Sequence, residues 1–91
     1  MTRDQTRTGQ VILREVNERI ADITVHHRQA RSLFVCECGQ RDCTDYVDLD
    51  LGEYREIRSS GDHFVAAMGH CVEEVDRVVE SRDGFDVLAQ L

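Results

Sequence analysis

From Val11 onward, Ile12, Val16, Ile20 and Ile23 recur at spacings of four, four and three residues, the stripe of one helix face. The spacing predicts a helix from about Gly9 to about Arg28, with the polar residues 1–8 frayed ahead of it. Arg14, Glu15, Glu18, Arg19 and Asp22 fall on its other faces, where Glu15 and Arg19 form an attractive i, i+4 pair and Glu18 and Asp22 a repulsive one. A one-sided stripe of this kind is expected to cover the sheet that follows, with a dimer seam or a partner-docking face as the alternatives.

Leu33, Phe34 and Val35 open a short strand. Asp45-Tyr46-Val47-Asp48-Leu49-Asp50 alternates apolar with acidic positions over most of its length, a second strand at period two. Asp50 followed three residues later by Glu53 has the form of a capping box, so a second helix is expected over Leu51 to Ser59, with Gly61 placed to end it. Phe64 to Met68 is a third strand. Val75 to Glu80 and Phe85 to Leu91 flank Ser81-Arg82-Asp83-Gly84, whose Asp-Gly pair predicts a hairpin turn. The order α, β, β, α, β, β, β gives a single α+β domain over residues 1–91, an N-terminal helix and a second short helix packed on a small antiparallel sheet. There is no repeat, no low-complexity tract and no proline.

Length then bears on chemistry. A chain of 91 residues buries only roughly 60–65 % of the surface its unfolded form exposes, and domains of this size recruit disulfides, a metal or a partner to supply what a thin core lacks. Four cysteines make the first two available. Met1 to Gln10 is polar where a secretory signal would be apolar, and no apolar run approaches the roughly 20 residues that span a bilayer, so a soluble, cytoplasmic chain with no membrane partner is expected. In a reducing cytosol, clustered thiols are metal ligands or redox groups rather than disulfides.

The net charge of −7 is uneven. Residues 1–31 carry six arginines against four acids, a net of +2, and residues 32–91 five against fourteen, a net of −9. An acidic body repels phosphate backbones and forgoes the counterion release that drives nucleic-acid binding, so no nucleic-acid partner is expected.

The densest chemistry lies in Phe34-Val35-Cys36-Glu37-Cys38-Gly39-Gln40-Arg41-Asp42-Cys43, three thiols within eight residues. Residues two apart on an extended strand share a face, so Cys36 and Cys38 present both sulfurs on one side, and Gly39 permits the sharp turn that returns Cys43 to them. Three thiolates form three corners of a zinc tetrahedron, and a closed structural site needs a fourth. His70 is the first choice, because it follows the third strand and the pliant Met68-Gly69, where a loop returns to the cluster if that strand lies beside the Phe34 strand. Cys71 is the alternative and His63 a lesser one, while His26 and His27, at the end of the first helix, read as capping or surface residues. Inert buried cysteines, an iron–sulfur cluster and a metal-free redox pair compete with zinc. An iron–sulfur cluster would require Cys71, so a mixed set with His70 favours Zn2+.

The run Phe34-Val35-Cys36-Glu37-Cys38 with Cys43, followed by Val47 to Arg58, resembles a family of small actinobacterial proteins to which no activity is assigned. The similarity extends to the Leu13 to Ile20 segment and to Gly69-His70 ahead of the Val-rich hairpin, and covers about residues 11–90. It implies a shared metal-binding fold with Cys36, Cys38, Cys43 and His70 as ligands. The chain departs from it at Ala66-Ala67-Met68, where a proline-containing stretch is usual, and in carrying Cys71 after the histidine.

No catalytic constellation is visible, and a chain this small encloses little of a pocket. The expected function is therefore non-enzymatic: a zinc-stabilised interaction or regulatory module for another protein, monomeric or a homodimer through the first helix. The alternative is a zinc-thiolate redox or metal sensor. The acids Asp45, Asp48, Asp50, Glu73, Glu74 and Asp76 read as solvated faces, or as a surface for a basic partner.

Overall fold

The computed structural model describes residues 2–91, in which seven elements follow the expected order. Helix α1 spans Arg3–His26 and so begins six residues before the apolar stripe announces it. Its start is fixed by a reciprocal cap. The Thr2 hydroxyl accepts from the Gln5 N–H at 3.2 Å and the Gln5 side chain accepts from the Thr2 N–H at 3.0 Å, while Asp4 meets the positive end of the dipole. The N-terminal residues expected to fray are thus helical from Arg3. The helix stops where Arg28 turns left-handed (φ 58°) and the Gln29 N–H reaches back to the Thr24 carbonyl.

The face that α1 turns inward lies about a third of a turn round the helix from the one its stripe predicts. Thr6, Gln10, Asn17, Ala21 and Thr24 are buried, whereas Ile12 and Ile23 are 55 % and 59 % exposed and Val11 and Val16 also face outward; of the stripe only Ile20 packs against the core. The physical reason is that two inward amides, Gln10 and Asn17, are bonded across the fold. Gln10 donates to Asp76 at 2.5 Å and accepts from Gln90 at 2.8 Å. Asn17 donates to the Val35 carbonyl (2.8 Å) and to Glu37 (2.7 Å), and accepts from the Val35 N–H (2.8 Å). Hydrogen bonds offset the desolvation cost of these buried amides, and they hold the helix together with the apolar contacts of Ala21 and Ile20.

The remaining elements are β1 (Arg31–Val35), β2 (Tyr46–Asp50), α2 (Leu51–Arg58), β3 (His63–Ala67), β4 (Asp76–Arg82) and β5 (Phe85–Gln90). They build two antiparallel sheets rather than one: β1 pairs with β2, and β5 lies between β3 and β4. The Glu37 N–H, just past β1, donates to the Val65 carbonyl of β3 at 2.8 Å and joins the sheets. In β2 the alternation holds, with Val47 and Leu49 buried and Tyr46 and Asp48 outward. The central strand β5 is buried from Phe85 to Ala89. Asp50 caps α2 by accepting from Gly52 and Glu53, and Tyr54 and Ile57 face inward. The helix ends on Ser59, without the left-handed glycine expected at Gly61.

The core has two parts. The larger gathers Phe34 stacked on Tyr54 (4.4 Å between ring centroids) with Val47, Leu49, Ile57, Val65, Phe85 and Val87. The smaller consists of Cys36, Cys38, Phe64, Ala66 and Leu88, so two of the clustered cysteines are embedded in it. Arg82 at the end of β4 pairs with Glu53, Glu56 and Glu80 and ties the hairpin to α2. Among the described residues no helix is long and apolar enough to cross a membrane.

Candidate metal centre

Cys36 leaves β1 with its N–H bonded to the Asp45 carbonyl at 3.0 Å, and its sulfur accepts from the Ala67 N–H at 3.2 Å. Cys38 follows on the same side. Gly39 then turns left-handed (φ 76°), and a tight turn from Gln40 to Cys43 brings the third sulfur back. The loop is pressed on α1, since a Cβ on Gly39 would overlap the Thr6 carbonyl oxygen and one on Gly9 would lie 3.0 Å from the Gly39 oxygen. From the other direction β3 ends at Ala67, Gly69 adopts φ 82°, and the His70 N–H bonds the Ala67 carbonyl. Gln40 donates to the His70 carbonyl at 3.0 Å and pins the two loops together.

The sulfurs of Cys36, Cys38 and Cys43 and a ring nitrogen of His70 consequently lie within 4.8 Å of one another, a group able to hold a metal ion. The His70 Nδ1 stands 3.5 Å from the Cys36 sulfur and 3.4 Å from the Cys43 sulfur. A tetrahedron with Zn–S near 2.3 Å and Zn–N near 2.0–2.1 Å has S···N edges of about 3.6 Å and S···S edges of about 3.8 Å, so the nitrogen already sits at ligand spacing from two thiols. Cys36 and Cys38 are buried, whereas Cys43 and His70 reach the surface and line an open groove of about 650 Å³ with Thr6, Gln40, Asp45 and Val72.

The thiols share protons unequally. The Cys36 thiol is pushed up strongly, first by its hydrogen bond with Cys38 and then by burial. That same bond lowers Cys38, and burial raises Cys43. Metal uptake must release whatever protons the thiols hold, because the thiolate is the ligand.

The other candidates sit elsewhere. Cys71 turns its sulfur to the Asp76 carboxylate at 3.0 Å, and its thiol is raised to about 11 by burial and that bond. His63 faces Asp62 at 3.8 Å, and His26 and His27 are exposed at the end of α1, edge to face. Of the acids expected to be solvated, Asp76 is buried and receives Gln10, Cys71 and Val72. Asp50 is a cap, Asp48 pairs with Arg31, and Asp45 meets the His70 ring.

Glu37 escaped the reading of the sequence. It is wholly buried, accepts from Val65 (2.9 Å) and Asn17 (2.7 Å), and lies 3.4 Å from the Tyr54 hydroxyl. Burial raises its carboxyl to about 7 against the lowering pull of the Asn17 and Val65 bonds. The signal was present: the strand alternation that puts Cys36 and Cys38 on one face must aim Glu37 at the opposite one.

Comparison with family models, with curated proteins and with solved structures finds no match. What the centre can do follows from its donor set: three thiolates and one imidazole suit a borderline-soft ion in tetrahedral coordination.

Proposed function

We propose that this protein is a non-enzymatic, zinc-stabilised module that docks on another protein through the outer face of α1. Zinc is the metal of choice because the set is mixed thiolate and imidazole and supplies four ligands, which closes the site and leaves no open position for catalytic water. The observation that carries the docking role is the exposed row of Ile12, Val16 and Ile23 on a helix whose inner face is polar. The row is flanked on one side by Glu15 and Asp22, with Arg19 beside it, so the partner expected is an apolar helix or groove with basic side chains along that edge. The reading sets the protein in a reducing compartment, where thiolates stay available to a metal, and in the actinobacterial family it resembles. The test is quantitative cross-linking of the zinc-loaded chain in its host. Partners should be lost in the Ile12→Gln, Ile23→Gln chain and kept when the exposed acid of β2, Asp48, is changed instead. Retention of every partner by the first variant would sink the proposal.

A second reading has its own support in the half-buried Cys43 and His70, which put one edge of the centre within reach of oxidants. A zinc-thiolate sensor predicts that mild peroxide releases zinc and that reductant restores binding. Zinc retained under such treatment removes this reading.

A further inference from the structure

Asp45 touches two members of the centre at once. Its carbonyl accepts the Cys36 N–H at 3.0 Å, and its carboxylate oxygen lies 3.2 Å from the His70 Nε2. The Nδ1 of the same ring points to the gap between the Cys36 and Cys43 sulfurs. An imidazole that ligates through one nitrogen as the neutral ring carries its proton on the other, and a carboxylate facing that other nitrogen selects the tautomer and the ring plane.

We propose that Asp45 is a positioning residue of the metal centre, holding His70 as an Nδ1 ligand by accepting a hydrogen bond from its Nε2. The inference rests on the metal-binding reading above. As a salt bridge the contact contributes little in itself, because the Asp45 side chain is 58 % exposed. Its effect is on ring orientation, which at 3.4 to 3.5 Å from two sulfurs tolerates little rotation. Residues that orient a metal-bound histidine in this way change affinity by about 10- to 100-fold, and the exposure of Asp45 places it near the lower figure.

The experiment titrates the full chain with zinc against a chromophoric chelator, for the wild type, Asp45→Ala and Asp45→Asn, and records long-range 1H–15N correlations of the His70 ring in each zinc-loaded protein. The wild type should show a metal-bound Nδ1 and a protonated Nε2. Asp45→Ala should bind zinc about tenfold more weakly and lose the single ring state, and Asp45→Asn, whose amide oxygen still accepts, should recover both. Ligation through Nε2 in the wild type, or an Asp45→Ala protein with unchanged affinity and ring spectrum, would overturn the assignment. A wild type that binds no zinc removes the metal reading itself, and this inference with it. If Asp45→Ala fails to fold, Asp45→Asn against wild type still decides through the ring spectrum, because a rotated ring in that variant contradicts the proposal.

Discussion

Replacing Gly39 by alanine should be the most damaging single-methyl change in this chain, because two independent costs meet there. The residue has φ 76°, a left-handed conformation that costs a non-glycine residue about 1–2 kcal/mol. An added Cβ would also overlap the Thr6 carbonyl oxygen and approach Gln10 Cγ to 2.8 Å, and since that oxygen belongs to the backbone of α1 the helix must shift, an overpacking cost of about 1–3 kcal/mol. The sum is about 2–5 kcal/mol, a large share of the stability of a small domain. Two other glycines separate the contributions. Gly84 has φ 90° with nothing within 4 Å of its added Cβ, so alanine there costs the backbone part alone, about 1–2 kcal/mol. Gly61 has neither problem, and its alanine variant should stay within about 0.5 kcal/mol of wild type. Urea unfolding of the metal-free chains reads the series directly. With a slope of about 1 kcal/mol/M, the Gly39→Ala midpoint should fall by about 2–5 M or the chain should be unfolded from the start. Gly39→Ala no worse than Gly84→Ala would refute the close packing of the cysteine loop on α1. Because the loop carries Cys38 and leads to Cys43, the same variant should also bind zinc more weakly in chelator competition.

Three further outcomes are expected. The outward stripe of α1 predicts that Ile12→Gln with Ile23→Gln leaves the unfolding free energy in urea nearly unchanged, within about 0.5 kcal/mol, whereas Asn17→Ala costs about 2–4 kcal/mol by stranding the Val35 N–H and the Glu37 carboxylate; the opposite ranking means the stripe is the buried face. In the metal-free chain Glu37 holds its proton more tightly folded than unfolded, so its contribution is present below about pH 4.5 and is lost as pH rises through about 7. The shift from 4.5 to about 7 corresponds to about 3 kcal/mol, and denaturation across this window should show a fall with pH that Glu37→Gln flattens; parallel pH profiles for the two proteins would contradict it. Arg28 at φ 58° carries the left-handed cost of a helix stop without being glycine, and Arg28→Gly should raise stability by about 0.5–1 kcal/mol in urea unfolding, a loss counting against the turn geometry.

Where the sequence spoke truly, its signals were local. Asp50 caps α2 because cap and N–H groups are two and three residues apart, Val47 and Leu49 point inward because a strand alternates, and Gly84 closes the last hairpin with no help from outside it. The Cys36, Cys38, Cys43 trio is local in the same sense, since eight residues of strand and turn suffice to gather three sulfurs.

The fourth donor is different. His70 reaches the cluster because β3 runs beside the residues that follow β1, through the Glu37 to Val65 bond, while Asp76 holds the Cys71 sulfur away from it. The inward face of α1 was misjudged for a related reason. Apolar periodicity reports burial only when apolar contact is what holds a helix, and here the partners of Gln10 lie 66 and 80 residues along the chain and those of Asn17 lie 18 and 20, which no spacing within the helix can express. The sequence by itself thus determined the order of elements, the cap of α2, the turn of the last hairpin and three members of the cysteine–histidine group. The tertiary structure alone decided which histidine joins them, how the strands divide into two sheets, and that the apolar edge of α1 faces outward, because each depends on hydrogen bonds between segments that meet only once the chain is folded.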